Sequence, residues 1–193
     1  MNKWTEYEFL HHDIWYHATS EVYFKRILEK GIIADCNKGS ELDFGFGFYL
    51  TPSLEWVKKY AQGFNNPRII EFHFEPIHLL NGSDNYCFWE NLNDSFADFV
   101  FDNRMNFQNT SSLCVHNYLL VGGVMSDGQQ VTDFIEYRKG EISKEELYRR
   151  LCIPKEDWQL MIHDQELCNA IKPCSAFDLE GGIYDVSEYK KSN

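Results

Sequence analysis

Asp43-Phe44-Gly45-Phe46-Gly47-Phe48-Tyr49-Leu50-Thr51 is the stretch of sequence around which the rest of this chain is best interpreted. From Phe46 onward its side chains alternate in character, which predicts a strand with Phe46, Phe48 and Leu50 on a core face. The opposite face carries Gly47, Tyr49 and Thr51, which offer bare backbone, a flat aromatic ring and a hydroxyl group. That face suits a cleft for a planar ring, and the alternative is a core strand interrupted by glycines.

Length, composition and charge indicate one folded domain over residues 1–193. A chain of 193 residues lies within the range of a single hydrophobic core. With 44% hydrophobic and 16% aromatic residues, it has enough apolar material to fold rather than remain disordered. The formal net charge of −12 argues against broad binding to nucleic acid or to an anionic membrane, because both depend on many Lys and Arg contacts. A local basic patch could still receive one phosphorylated ligand.

The cysteines and the N-terminus indicate a cytoplasmic protein with reduced thiols. No C-x-x-C pair occurs, and the cysteine density is far below that of a disulfide scaffold. The first residues lack the apolar region of a signal peptide, and no run approaches the roughly 18 apolar residues of a membrane span. The six cysteines are Cys36, Cys87, Cys114, Cys152, Cys168 and Cys174.

Short strands and short helices are predicted to alternate irregularly, which is typical of an α+β fold. Residues 1–13 are interpreted as an N-terminal arm. Strands are predicted at 14–17, 46–51, 68–74, 116–125 and 158–162, with a last one starting near 177. Helices are predicted at 21–30, 53–62, within 88–104, at 131–138, from 143 and at 164–171, and 106–112 is predicted to be a loop.

Common catalytic and metal-binding motifs are absent from the sequence. His11-His12-Asp13 and the pair His73 and His78 do not have a recurring zinc spacing, so no metal is expected. Gly45-Phe46-Gly47 lacks the third glycine and the helix start of a dinucleotide fingerprint. The chain contains no P-loop and no G-x-S-x-G element.

Three polar residues on separate predicted strands form the candidate catalytic set: His17, Tyr49 and Gln159. His17 ends the first strand, and Tyr49 lies in the aromatic-glycine strand. In the strand at 158–162 the core residues Leu160 and Ile162 alternate with Gln159, so Gln159 faces away from that core. A strand-end histidine alone is more often structural, whereas three such residues together predict a shared site.

These residues carry a family resemblance. Tyr16-His17-Ala18-Thr19-Ser20 resembles the Y-H-G-T motif of ADP-ribosyltransferases of the diphtheria-toxin and poly-ADP-ribosyltransferase class. The stretch 43–51 is similar to the D-F-G-x-G-F-Y-L-T wording of a little-characterised bacterial family in that superfamily. That family also shows F-V-x-x-N-R, matched by 99–104, and a strand to which 118–127 is weakly similar. Its third motif, N-D-Q-x-x-F-H-T, is matched by 156–163 with Trp158 intervening. The resemblance covers about residues 14–170 in consistent order.

The resemblance implies a split antiparallel β core, flanked by short helices, that grips NAD⁺ as substrate in a cleft. His17 would bond a ribose hydroxyl, the backbone at Ala18 would hold the nicotinamide carboxamide, and Tyr49 would stack on the nicotinamide ring. The other implied NAD⁺-binding residues are Thr19, Gly47, Thr51 and Arg104. For Arg104 we favour a helix-end cation, with a contact to the pyrophosphate or an acidic target as the alternative.

Two departures from the family pattern affect the predicted activity. Ala18 replaces a glycine, which is acceptable if φ is negative there. Gln159 replaces a glutamate that is frequent in relatives, and a glutamine keeps a hydrogen bond but supplies neither charge nor base. We therefore expect a bacterial mono-ADP-ribosyltransferase, in a toxin or phage-defence setting, that modifies a protein rather than nucleic acid. An NAD⁺ glycohydrolase toxin and a non-catalytic NAD⁺ or ADP-ribose binder are the alternatives, and the oligomeric state is left open.

Overall fold

The computed structural model describes residues 4–106, 116–126 and 130–189. Its helices are α1 (Glu6–Leu10), α2 (Glu21–Lys30), α3 (Leu54–Ala61), α4 (Pro76–Leu80), α5 (Asp94–Asn106), α6 (Gln130–Arg138), α7 (Lys144–Leu151) and α8 (Gln165–Ala170). Its strands are β1 (Ile14–Ser20), β2 (Phe48–Leu50), β3 (Pro67–His73), β4 (Tyr86–Trp89), β5 (Leu120–Ser126), β6 (Pro154–Ile162), β7 (Pro173–Phe177) and β8 (Ile183–Tyr184).

The strands form two four-stranded sheets. The first sheet has the order β1-β3-β7-β8, and all its pairs are antiparallel. The second has the order β2-β6-β5-β4, in which β2–β6 and β5–β6 are antiparallel but β4 and β5 run parallel. The predicted α+β class is confirmed, while the expectation of a wholly antiparallel core is wrong for the β4–β5 pair.

Both faces of the second sheet are buried. One face packs against the first sheet around a core that includes Trp15, Ile70, Phe72, Leu160 and Ile162. The opposite face packs against α5, α6 and α7 around a second core that includes Phe96, Val121, Phe134, Leu147 and Met161. Because hydrophobic side chains cover β6 on both sides, its apolar run contains little of the alternation that marks a half-buried strand.

The described part of 1–13 belongs to the domain rather than forming an arm. Thr5 and Glu8 make a reciprocal capping box that starts α1. Phe9 of this helix is fully buried, and its ring lies 5.1 Å from that of Trp15. The backbone of Gly122 approaches so closely that a Cβ there would meet Phe9 at 2.2 Å. The polar and aromatic composition of this segment concealed that contact.

Several predicted boundaries were wrong where local patterns are ambiguous. The helix predicted within 88–104 is α5, which begins at Asp94 but continues to Asn106, and the apolar run before it forms β4. The first strand continues to Ser20, and β6 begins at Pro154 rather than at 158. The last strands begin at Pro173 and Ile183 rather than at 177. The loop predicted at 106–112 lies outside the described residues from 107 onward.

Candidate functional site

The two sheets touch at a single backbone pairing and then separate. Tyr16 of β1 and Thr51, just beyond β2, exchange two hydrogen bonds of 2.8 and 2.9 Å. If this antiparallel pairing continued, Ala18 would bond to Tyr49 at the next position. Instead, the carbonyl of Tyr49 accepts a 2.8 Å hydrogen bond from Nδ1 of His17. The imidazole therefore takes the place of the backbone hydrogen bond between Ala18 and Tyr49. This leaves a gap between the sheets.

The backbone of Ala18 faces this gap. The backbone groups of a strand point alternately to its two edges, so Tyr16 and Ala18 present theirs to the same edge. Among the described residues, no backbone hydrogen bond from Ala18 toward β2 is formed. The Ala18 side chain packs on the other side with Val57 and Ile69, and Ala18 does not have a positive φ. The alanine is thus compatible with this position, and one N–H and one C=O are left for a ligand.

His17 is a neutral imidazole with an available acceptor. Burial lowers the pKa of His17 to about 4, and the hydrogen bond to Tyr49 opposes this shift only in part. At pH 7 the proton therefore lies on Nδ1 and the lone pair on Nε2. Within the described ranges Nε2 has no hydrogen-bond partner. It is also not completely buried, so a ligand atom can approach it. Nε2 can accept a hydrogen bond from a hydroxyl group.

The Tyr49 hydroxyl is committed to the loop that precedes β2. It donates to the carbonyl of Gly45 over 2.7 Å and accepts from the N–H of Phe44 over 3.1 Å. The ring is half-buried against the second core, directly across from Met161. A contact from Tyr49 to a ligand would therefore come from the ring and not from the hydroxyl.

Gly47 does not supply the bare backbone that its position predicted. A Cβ at Gly47 would lie 2.2 Å from Sδ of Met161, so the missing side chain makes room for methionine. Both backbone groups of Gly47 are bonded by the Asn37 carboxamide at 2.8 and 2.9 Å. Gly47 is a packing position, and the interpretation of it as an open cleft wall is corrected.

The two threonines have different surroundings. Oγ1 of Thr51 accepts from the N–H of Ser53 over 3.2 Å, just before α3, so this hydroxyl has a structural partner. Thr19 follows His17 by two residues and shares its face of β1. Thr19 is buried, and its hydroxyl forms no hydrogen bond to the described residues. Of the two, Thr19 is the better placed to contact a ligand beside His17.

Gln159 is a buried polar side chain without a hydrogen-bond partner among the described residues. It lies on β6 opposite Gly123 and is only 9% exposed. Its carboxamide makes no hydrogen bond within the described part of the chain, and neither polar atom is fully buried. Tyr49 pairs with Met161, so Gln159, two residues away, is the diagonal neighbour of Tyr49 on one face. The Cα atoms of residues in such diagonal positions lie about 7–8 Å apart.

Of the three predicted catalytic residues, His17 contacts the backbone carbonyl of Tyr49, and Gln159 is the diagonal neighbour of Tyr49 on the adjacent strand. Tyr49 and Gln159 share the face of the second sheet that carries Met161. The His17 ring reaches the edge of β2 and lies 4.4 Å from Phe48, which faces the core between the sheets.

Arg104 binds two carboxylates of the segment before β2. Its Nε bonds Oδ1 of Asp43 at 2.5 Å, and its Nη1 lies 3.3 Å from Oε1 of Glu41. Asn103 beside it donates to the Asp43 carbonyl over 3.1 Å. Arg104 is 6% exposed in the last turn of α5. The helix-end interpretation agrees with this position. The two carboxylates bind Nε and Nη1, and the contact with the NAD⁺ pyrophosphate stays a prediction.

Three consecutive carbonyls of the loop before β2 are each bound by a side chain. Nε2 of His116 bonds the Phe44 carbonyl at 2.9 Å, and Nδ1 of His163 bonds that of Phe46 at 3.0 Å. Tyr49 bonds the Gly45 carbonyl between them. His116 and Asn37 could not be identified from the sequence, because a side chain that bonds distant backbone leaves no periodic signal.

Within 4–106, 116–126 and 130–189, no group of three or more His, Cys, Asp or Glu side chains could hold a metal ion. In the same ranges, no helix combines the length and apolar character that crossing a membrane requires.

The chain belongs to a protein family described as a protein of unknown function, DUF3990, whose match covers residues 14–172. This range contains both sheets except β7 and β8, and it includes the junction where His17 meets Tyr49. Comparisons with curated proteins and with solved structures found no match.

Proposed function

We propose that the protein is a mono-ADP-ribosyltransferase that transfers ADP-ribose from NAD⁺ to a protein. One observation carries this proposal: among the described residues, the N–H and C=O of Ala18 form no hydrogen bond toward β2, beside a neutral His17 where the sheets separate. A primary carboxamide offers one acceptor and one donor in the complementary arrangement. Nicotinamide carries such a group on a flat ring.

The neighbouring groups fit the rest of the nicotinamide riboside. Nε2 of His17 can accept from a ribose hydroxyl, because Tyr49 holds the proton on the other nitrogen. The ring of Tyr49 can stack on nicotinamide, a contact of about 0.5–1.5 kcal/mol beyond area burial. The unbonded Gln159 carboxamide lies on the same face and can bond the ribose.

The reaction breaks the N-glycosidic bond between nicotinamide and ribose. Nicotinamide leaves as a neutral molecule, so the step requires no general acid. The transition state places positive charge on the sugar, and the protein contributes by positioning it and by orienting dipoles toward that charge. A carboxamide such as Gln159 can turn its oxygen toward the charge but adds no net negative charge. We therefore expect slow turnover and the transfer of one unit rather than chain elongation.

The charge of the chain favours a protein acceptor. A formal net charge of −12 repels nucleic acid phosphates, whereas a protein can present a basic or neutral surface. An NAD⁺ glycohydrolase would use water at the same position. A non-catalytic NAD⁺ or ADP-ribose binder is the second candidate, and the neutral Gln159 favours it.

The test is incubation of the protein with labelled NAD⁺ and a bacterial lysate. We expect label on a discrete protein together with released nicotinamide. Tyr49→Ala should abolish both, whereas Tyr49→Phe keeps the ring and should retain nicotinamide release. NAD⁺ binding without nicotinamide release would support the non-catalytic binder. Failure to bind NAD⁺ and to release nicotinamide would overturn the proposal in all its forms.

A further inference from the structure

Five consecutive backbone carbonyls before β2, those of residues 43–47, each accept a hydrogen bond from a side chain over 2.7–3.1 Å. In chain order of the carbonyls, the donors are Asn103, His116, Tyr49, His163 and Asn37. Side chains from distant parts of the chain therefore fix the path of this backbone, because its carbonyls bond them instead of a neighbouring strand. One of the five donors, Tyr49, also belongs to the proposed NAD⁺ site.

The tautomer of His116 follows from its two backbone partners. The N–H of Tyr118 donates to Nδ1 over 3.2 Å, so Nδ1 carries a lone pair. The proton of the neutral ring therefore lies on Nε2, which donates to the Phe44 carbonyl over 2.9 Å. The ring is buried and lies 5.1 Å from that of Phe99 at an interplanar angle of 28°. His116 is thus a fixed hydrogen-bond donor to Phe44.

Phe44 connects His116 to Tyr49. The N–H of Phe44 donates to the Tyr49 hydroxyl over 3.1 Å, and this hydroxyl donates to the Gly45 carbonyl over 2.7 Å. The peptide group that joins Phe44 to Gly45 lies between these two contacts, and its carbonyl is the one that His116 bonds. Gly45 has a φ of +79° and no side chain of its own to hold it. The His116 bond therefore sets the orientation of the backbone that holds the Tyr49 hydroxyl.

We propose that His116 is a positioning residue for NAD⁺ that acts through Phe44 and Tyr49. This inference rests on the proposed function, in which the Tyr49 ring stacks on nicotinamide. Stacking depends on the offset and the angle between the two rings. Because the backbone holds the Tyr49 hydroxyl from two sides, the ring is oriented before NAD⁺ binds, and binding does not have to order it. His116 itself makes no contact with the dinucleotide.

Two substitutions separate the bond to Phe44 from the other contacts of His116. His116→Asn keeps an acceptor near the place of Nδ1, where Tyr118 donates, but has no donor at the place of Nε2. His116→Gln keeps an N–H donor at the place of Nε2, so the bond to Phe44 should persist.

The experiment measures the Kd for NAD⁺ by calorimetry and the KM and kcat of nicotinamide release. His116→Asn should raise Kd and KM about two- to tenfold, which is the value of one stacking contact. The change in kcat should be less than about twofold, because the lost contact stabilises the bound substrate and the transition state equally. His116→Gln should return Kd and KM to within about twofold of the wild type. His78→Asn changes an exposed histidine of α4 and should leave all three unchanged.

A double-mutant cycle with Tyr49→Phe tests the route from His116 to the ring. Tyr49→Phe keeps the ring but loses both bonds to the backbone, and it should raise Kd about as much as His116→Asn. Adding His116→Asn to Tyr49→Phe should then change Kd by less than about twofold, because the backbone no longer holds the ring. A residue that only supports the fold would change Kd by the same factor in both backgrounds.

The possible results separate this inference from the function on which it rests. A wild-type protein that neither binds NAD⁺ nor releases nicotinamide would overturn the proposed function. An unchanged Kd in His116→Asn, or equal factors in the two Tyr49 backgrounds, would overturn the role of His116 and leave the transferase intact. If circular dichroism shows that His116→Asn does not fold, His116→Phe gives the same comparison, because it keeps a ring against Phe99 without the donor.

Discussion

Nδ1 of His17 donates to the backbone carbonyl of Tyr49 over 2.8 Å, across the point where the two sheets separate. This bond orients the imidazole, keeps its other nitrogen as an acceptor and occupies the carbonyl that Ala18 would otherwise use. One side chain therefore both opens the gap between β1 and β2 and presents a hydrogen-bond acceptor to it.

The lowered pKa of His17 predicts a specific pH dependence of stability. The folded pKa of about 4 lies below the unfolded value near 6.5. The unfolded chain therefore binds more protons between these values, and the free energy of unfolding should fall as pH decreases from about 6.5 to about 4. His17→Asn can keep a donor to Tyr49 without this titration. Urea unfolding at pH 7.5 and 4.5 should show a decrease about 2–3 kcal/mol smaller in the variant. Equal decreases would contradict the shifted pKa.

Gly47→Ala should destabilise the fold by about 1–3 kcal/mol, because a Cβ would overlap Sδ of Met161 and approach the Ile162 carbonyl to 2.8 Å. Adding Met161→Ala should make the effect of the glycine substitution smaller, since the overlapping sulfur is then removed. Gly63→Ala is the control, because the nearest atom to its Cβ would be 3.5 Å away. Thermal and urea unfolding would be measured for the wild type, Gly47→Ala, Met161→Ala, the double variant and Gly63→Ala. Equal costs at both glycines would refute the packing role of Gly47.

The ion pair between Arg104 and Asp43 should matter for stability rather than for phosphate binding. Arg104→Met leaves a buried carboxylate without its partner, which typically costs about 3–5 kcal/mol. Arg149→Met breaks an exposed pair with Glu146 and should cost less than about 1 kcal/mol. Urea unfolding would compare the two variants.

A double-mutant cycle with Asp43→Asn tests whether the Arg104 effect belongs to the pair. Arg104→Met should lower the free energy of unfolding less in the Asp43→Asn background than in the wild type, because no unpaired carboxylate is then left at position 43. If Arg104→Met instead leaves stability unchanged and weakens NAD⁺ binding, the pyrophosphate contact would be the better interpretation.

Gln159→Glu should raise the rate of nicotinamide release by about tenfold or more. A carboxylate at this position adds negative charge on the face where Tyr49 lies, and so stabilises the developing sugar cation more than a carboxamide does. Gln62→Glu adds the same charge to the exposed end of α3 and should not change the rate. Steady-state nicotinamide release would be measured for both. An unchanged rate in Gln159→Glu would show that charge at this position does not limit the reaction.

Local sequence patterns were sufficient to place the candidate residues on their elements. The alternation around Leu160 put Gln159 on the face away from the core between the sheets, and the glycine-aromatic run placed Tyr49 in a strand. The same patterns did not reveal that the opposite face of β6 is buried as well. Met161, on the face expected to line an open cleft, is fully buried in a second core.

The sequence by itself determined the α+β class and the order in which His17, Tyr49 and Gln159 occur on separate strands. These features depend on side-chain periodicity over a few residues, which can be read from the chain directly. Only the tertiary structure decided that Arg104 binds Asp43, 61 residues away, and that Met161 fills the space beside Gly47. The tertiary structure also decided where β1 separates from β2. That point depends on the His17 imidazole, which bonds the Tyr49 carbonyl in place of the Ala18 amide. Contacts between residues distant in sequence depend on how whole helices and strands pack, so local periodicity does not predict them.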